Sequence, residues 1–195
     1  MKKISLVVLF SIFSTFAFSQ GISIGPKVGL NFSNYTGGNI KSDALLGYHL
    51  GGFISFNAGK NFAIQPEVLF STQGAKLDRG TQKNTKFKTN YVSVPVMLKL
   101  KTNSGLYIEV GPQFAFKTGD DIGDQTINKF AKNLDVSLGG GIGYQTNFGL
   151  GIGARYMAGI TKVGDFDSNT ITNLDPDFKN SIIQLSLFFA IGGKN

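Results

Sequence analysis

Residues 137–160 read SLGGGIGYQTNFGLGIGARYMAGI, with eight glycines among twenty-four positions. Gly149, Gly151 and Ala154 satisfy the dinucleotide fingerprint G-x-G-x-x-G/A. A pyrophosphate cradle needs those glycines to follow a strand and open a helix inside a βαβ unit. Here the apolar residues keep alternating through Leu138, Ile142, Tyr144, Leu150, Ile152 and Tyr156, and a segment rich in Asp and Asn follows. The fingerprint is therefore a by-product of period-2 glycines on one face of a hairpin. A turn at Gln145–Asn147 predicts Ser137 beside Arg155, with Gly143, Gly141 and Gly139 facing Gly149, Gly151 and Gly153.

The same period runs through the chain. Apolar residues occupy every second position in eight segments, beginning at Ile22, Leu46, Phe62, Val92, Leu106, Leu134, Phe148 and Ile183. That alternation marks strands with two unlike faces. One face carries no charge, amide or aliphatic hydroxyl. The other holds Lys27, His49, Gln65, Glu67, Lys99, Glu109, Gln113, Asp135, Arg155 and Gln184 among glycines and serines.

A soluble β-sandwich or lipocalin-like barrel would turn the apolar face inward, whereas an outer-membrane barrel turns it to lipid. Three features favour lipid. Both glutamates of the chain, Glu67 and Glu109, lie on the polar face within strands, which carries few charges for a solvated surface. Small residues crowd that face, as a narrow lumen requires. Aromatic residues such as Tyr48, Phe70, Phe116, Tyr144 and Tyr156 lie near segment ends, where interfacial girdles form.

Connections alternate long (33–44, 72–89, 117–133, about 157–181) and short (57–61, 101–105, 145–147). The expectation is an all-β fold: an eight-stranded antiparallel up-and-down transmembrane β-barrel with long extracellular loops and short periplasmic turns. An even strand count lets the last strand pair with the first, leaving no edge in lipid. The short turns also predict Gly51 beside Glu67 and Met97 beside Glu109.

Residues 1–19 have the parts of a cleaved signal peptide: Lys2 and Lys3, an apolar run over Ile4–Phe18, and small residues at Ala17 and Ser19. Residues 20–195 then form one barrel domain. The formal charge of +7 falls to +5 once Lys2 and Lys3 leave. With export, that modest excess argues against nucleic acid. The sequence has no cysteine, which excludes disulfides, thiolate metal sites and a cysteine-linked lipid anchor.

The segments NFAIQPEVLFSTQGAKL (61–77), NYVSVPVMLKLK (90–101), YIEVGPQFAF (107–116) and GLGIGARYMAGI (149–160) resemble the PorT-like outer-membrane β-barrel family of the Bacteroidota. The resemblance implies an eight-stranded barrel in the outer membrane, surrounded by lipid and lipopolysaccharide and inserted by the barrel-assembly machinery. It implies other envelope or secretion proteins as further partners, one namesake member taking part in type IX secretion and gliding. The chain departs from many such barrels in ending Phe188-Phe189-Ala-Ile-Gly-Gly-Lys-Asn195 rather than on an aromatic residue.

Candidate sites follow from the faces. Lys27, Glu67, Lys99, Glu109, Asp135 and Arg155 balance three against three, and buried charges are tolerable only when paired. They are expected to form a structural network that fills the lumen; a narrow conducting path is the alternative. His49, the sole histidine, has lumen parity. A hydrolase has no support in a G-x-S-x-G motif or a neighbouring acid, so the histidine is expected to be a wall residue and the protein not an enzyme. Lys76, Arg79, Lys83, Lys86 and Lys88 against Asp78 give the segment 74–88 a net +4, a candidate binding surface for lipid phosphates or an acidic partner. Asp165-x-Asp167-x-Asn169 starts like a calcium loop, but Thr170 and Pro176 stand where Gly and Glu are needed. No metal or cofactor is expected.

Overall fold

The computed structural model describes residues 21–36, 42–79, 82–122, 133–161 and 179–192. Eight long strands follow in sequence order: β1 (Ile22–Thr36), β2 (Ser42–Ala58), β3 (Phe62–Arg79), β4 (Gln82–Lys101), β5 (Leu106–Ile122), β6 (Leu134–Gln145), β7 (Leu150–Gly159) and β8 (Lys179–Phe189). A two-residue strand, Ile191–Gly192, continues along β1 after Ala190. Each strand pairs antiparallel with the next, and β1 pairs with both β2 and β8, so the sheet closes into a barrel. Every spanning strand thereby has two partners, which satisfies the backbone where lipid offers none.

The faces divide as the alternation predicts. Ile24, Leu50, Val68, Ile108, Ile142 and Leu187 point outward and are exposed, while Lys27, His49, Gln65, Glu67, Lys99 and Arg155 are buried inside. The outward row switches from even positions in β7 to odd positions in β8. Pro66, Pro95 and Pro112 lie within strands and lack an N–H. The ladders skip beside each of them and resume in the same register.

The turns correct the predicted pairings. Arg155 pairs with Gly141, not Ser137, and Gly143 faces Gly153 rather than Gly149. Gly141 and Gly139 therefore do not meet Gly151 and Gly153. Glu67 pairs with Phe53 and Glu109 with Lys99, not with Gly51 and Met97. The cause is turn geometry. Gly149 N–H bonds the Thr146 carbonyl and Gly105 N–H bonds the Thr102 carbonyl, at 3.0 and 3.1 Å. Gly149 and Gly105 then take φ of 102° and 93°, the left-handed step of a three-residue hairpin loop. Both loops share the pattern T-N-x-G-L (146–150 and 102–106). A turn over Gln145–Asn147 leaves Gly149 two residues outside the loop, whereas the observed loop ends on it.

The long connections are also shorter than expected. β3 and β4 remain paired from Phe62↔Leu100 to Arg79↔Gln82, so the expected 72–89 loop is largely hairpin. β5 extends to Ile122.

The glycines of the opening stretch have a packing role. Tyr107, Gly143, Gly153, Ser186, Gly29 and His49 form one transverse row of successive strand partners. Tyr107 lies across Gly143 and Gly153, and the His49 ring lies across Gly29; a Cβ would overlap the tyrosine ring and the Ile152 carbonyl at Gly143, the tyrosine hydroxyl at Gly153, and the imidazole and the Leu185 carbonyl at Gly29. Gly139 lies under Met157 and Gly151 under Phe188 in the same way. Large inward side chains thus lie flat over neighbours that have none. A Gly143→Ala substitution is expected to destabilise the barrel by about 1–3 kcal/mol through overpacking. Urea unfolding followed by gel mobility measures the loss, and adding Tyr107→Leu is expected to recover part of it.

Candidate functional site

The lumen is built in layers. Nearest the short turns, Phe53, Tyr107, Phe188 and Ala190 form an apolar cluster. The Phe188 ring meets Phe53 edge-on, with centroids 5.7 Å apart, and meets Tyr107 at 6.2 Å. Each aromatic has a glycine as strand partner: Gly25 for Phe53, Gly143 for Tyr107 and Gly151 for Phe188. That pairing of a lumen-parity aromatic with a cross-strand glycine is the signal by which the layer is legible in the sequence, and a reading focused on charges misses it.

Above this layer, four ion pairs connect five buried charges. Arg155 on β7 reaches across the barrel to Glu67 on β3, with Nη2 to Oε1 at 2.8 Å and Nη1 to Oε2 at 3.2 Å. Its Nε donates to Glu109 Oε1 on β5 at 2.8 Å. Lys27 Nζ lies 3.0 Å from both Glu67 oxygens, and Gln65 Nε2 donates to Glu67 Oε1 at 2.8 Å. Lys99 Nζ is 3.3 Å from Glu109 Oε2 and sits over the Tyr107 and Phe188 rings, 4.3 and 4.9 Å from their centroids. The planar guanidinium suits this fork because it can serve two carboxylates at once. In so small a barrel, these side chains occupy the channel that a larger one leaves to water.

Asp135 stands apart from the five. It accepts from Thr161 Oγ1 at 2.8 Å and Asn180 Nδ2 at 3.1 Å, and forms no salt bridge among the described residues. Asn180 Nδ2 also donates to Gln73 Oε1, and Gln73 Nε2 donates to Ser71 Oγ, each at 3.0 Å. Asn31 Nδ2 bonds the same Ser71 hydroxyl, and Asn31 Oδ1 lies 2.8 Å from His49 Nδ1. The chain ends at Ser186 Oγ, 3.0 Å from His49 Nε2. Asn31 uses its amide N–H groups on Ser71 and on the Tyr48 and Thr72 carbonyls, so its oxygen accepts from Nδ1–H. His49 Nε2 then accepts from the Ser186 hydroxyl. The order serine–histidine–amide resembles a nucleophile relay. Here His49 and Asn31 have no exposed surface, and both ring nitrogens are occupied by wall partners.

Lys76 and Lys86 are backbone partners in the β3–β4 hairpin, Arg79 pairs with Gln82, and Lys83 lies beside that pair on β4. The side chains of Lys76, Arg79, Lys83 and Lys86 lie outside the described residues. Lys88 is described and exposed, its backbone opposite Gly74. Asp165, Asp167 and Asn169 also fall outside the described residues. Among the described residues no group of His, Cys, Asp and Glu has the arrangement of a metal site.

Removing Arg155 leaves two buried carboxylates with only Lys27 and Lys99. Arg155→Met is expected to cost about 3–5 kcal/mol, the usual penalty for breaking a buried pair from one side. Adding Glu67→Gln is expected to restore part of it. A double-mutant cycle in urea, read by circular dichroism, measures the coupling.

The fold can be set beside known proteins. Neisserial surface protein A superposes with a TM-score of 0.51 at 12% identity, covering 86% of this chain and 96% of that one. Ail from Yersinia pestis gives 0.49 at 16%, covering 88% and 99%. OprG from Pseudomonas aeruginosa gives 0.48 at 12%, covering 87% and 96%. Comparison with curated proteins gives no match. At these identities the neighbours speak to fold alone. Residues 18–165 match the family described as outer membrane protein beta-barrel domain. That match covers most of the sequence and agrees with the closed sheet and its apolar exterior. The chain belongs to the outer membrane protein beta-barrel domain family, and it is an outer-membrane β-barrel protein.

Proposed function

We propose that this barrel is a closed envelope protein whose working surface is its long-loop end, and that it neither conducts nor catalyses. The observation that carries this reading is the fork of Arg155 onto Glu67 and Glu109, which spans the lumen from β7 to β3 and β5. The apolar layer of Phe53, Tyr107 and Phe188 blocks the same lumen a second time. His49 and Asn31 have no exposed surface, so a substrate has no access to the base that the Ser186 hydroxyl meets, which speaks against hydrolysis.

In this reading residues 1–19 direct export, the short turns face the periplasm, and the segment 74–88 with its lysines meets lipopolysaccharide or another envelope protein. Its narrower form is an accessory role in type IX secretion or gliding, as the resemblance to PorT-like barrels implies. That form predicts loss of secretion on deletion of the gene, with membrane permeability unchanged.

Planar-bilayer recording of the refolded protein tests the closed lumen. The expected trace is a flat baseline without single-channel steps, and steady unitary steps would contradict it. Arg155→Ala combined with Phe188→Ala is expected to admit current wherever the double variant still folds.

A further inference from the structure

The short-turn mouth of the barrel contains a cavity of about 760 Å³ that the closed-lumen reading does not use. Its polar lining includes Ser23, Asn57, Lys60, Lys101, Gln145 and Asn147. Two of those residues are cationic, and among the described residues no acidic residue lines it. Ala190, a member of the aromatic layer, closes its inner side.

Among the described residues, the Lys101 ammonium is held from one side, by Asn57. Asn57 Nδ2 donates to the Gly21 carbonyl at 2.6 Å and to Ser23 Oγ at 3.3 Å. The amide is thereby fixed with its Oδ1 toward Lys101, whose Nζ donates to it at 3.1 Å. An ammonium has further N–H donors, and among the described residues Lys101 forms no salt bridge. Lys99 lies two residues along the same face of β4, behind the Tyr107 and Phe188 rings. Lys60 stands on the adjoining β2–β3 turn. A concave, low-dielectric wall lined by one sign of charge focuses potential on the opposite sign. The cations inside the lumen, Lys27, Lys99 and Arg155, are already paired, so the mouth is where an incoming anion finds unspent donors.

We propose that this mouth is a binding site for a single oxyanion, a phosphate or carboxylate group, gripped by Lys101 and Lys60 with the mouth amides as secondary donors. The group can arrive free in solution or on the headgroup of a lipid at the barrel rim. The site is independent of the surface at the long-loop end.

The test uses amide chemical shifts of the full barrel. Inorganic phosphate is titrated into the protein in zwitterionic micelles, and in nanodiscs of phosphatidylcholine and of phosphatidylglycerol. Binding predicts saturable millimolar shifts centred on Asn57, Lys101 and Gln145. A free ion gives them with phosphate in every medium. A lipid headgroup instead gives them in phosphatidylglycerol before any phosphate is added. Lys101→Gln is expected to abolish the response while the folded gel band persists, and Lys179→Gln, at the opposite end of the barrel, to leave it unchanged. Lys60→Gln is expected to weaken it several-fold and provides a second check should Lys101→Gln fail to fold. Absence of saturable shifts in all three media, or an unchanged response in Lys101→Gln, overturns the proposal.

Discussion

A charge taken into a protein wall surrounded by lipid has to find its partner inside that wall, and Arg155 does so by reaching across the lumen. Its guanidinium serves Glu67 on the opposite side and Glu109 two strands away, which ties β7 to β3 and β5 through side chains alone. Neighbouring strands are already joined by their backbone ladders. The fork adds what ladders do not supply, a set of struts through the centre. Lys27 completes it by donating to both Glu67 oxygens, and Lys99 by standing as an ion-pair neighbour of Glu109 Oε2.

That arrangement depends on room, and the glycines provide it. Arg155 leaves β7 beside Gly141, Tyr107 crosses Gly143 and Gly153, and His49 crosses Gly29. An interior this narrow takes long side chains only when neighbouring positions have none. Composition and electrostatics are therefore two sides of one constraint. The residues that carry charge or rings inward need the residues that carry nothing.

Much of this architecture was legible in the sequence, because lipid imposes a strict rule on one face of every strand. Outward positions such as Ile24, Leu50, Ile108 and Leu187 obey it through the central stretch of each strand, so strand count, facing and closure follow from alternation. Partners were harder to read. A shift of two residues at the Gly59 and Gly105 turns, and of four at Gly149, preserves each strand's facing while changing every neighbour. Glu109 accordingly belonged with Lys99 rather than Met97, and the decisive clue was the repeated T-N-x-G-L loop. The aromatic layer was missed because alternation says which side a residue faces, not what fills the space there. Parity puts Asp135 on the same face as the other charges, yet its height along the barrel places it with Asn180 and Thr161 instead.

The central claim is that Arg155 is locked between two carboxylates in a lumen that water does not freely traverse. Side-chain proton–nitrogen NMR of the refolded barrel after transfer to heavy water tests it directly. A resolved Arg155 Nε–H signal is expected to persist as long as the amides of the central strands. Its loss within the dead time, with the strand amides still protected, would contradict the account.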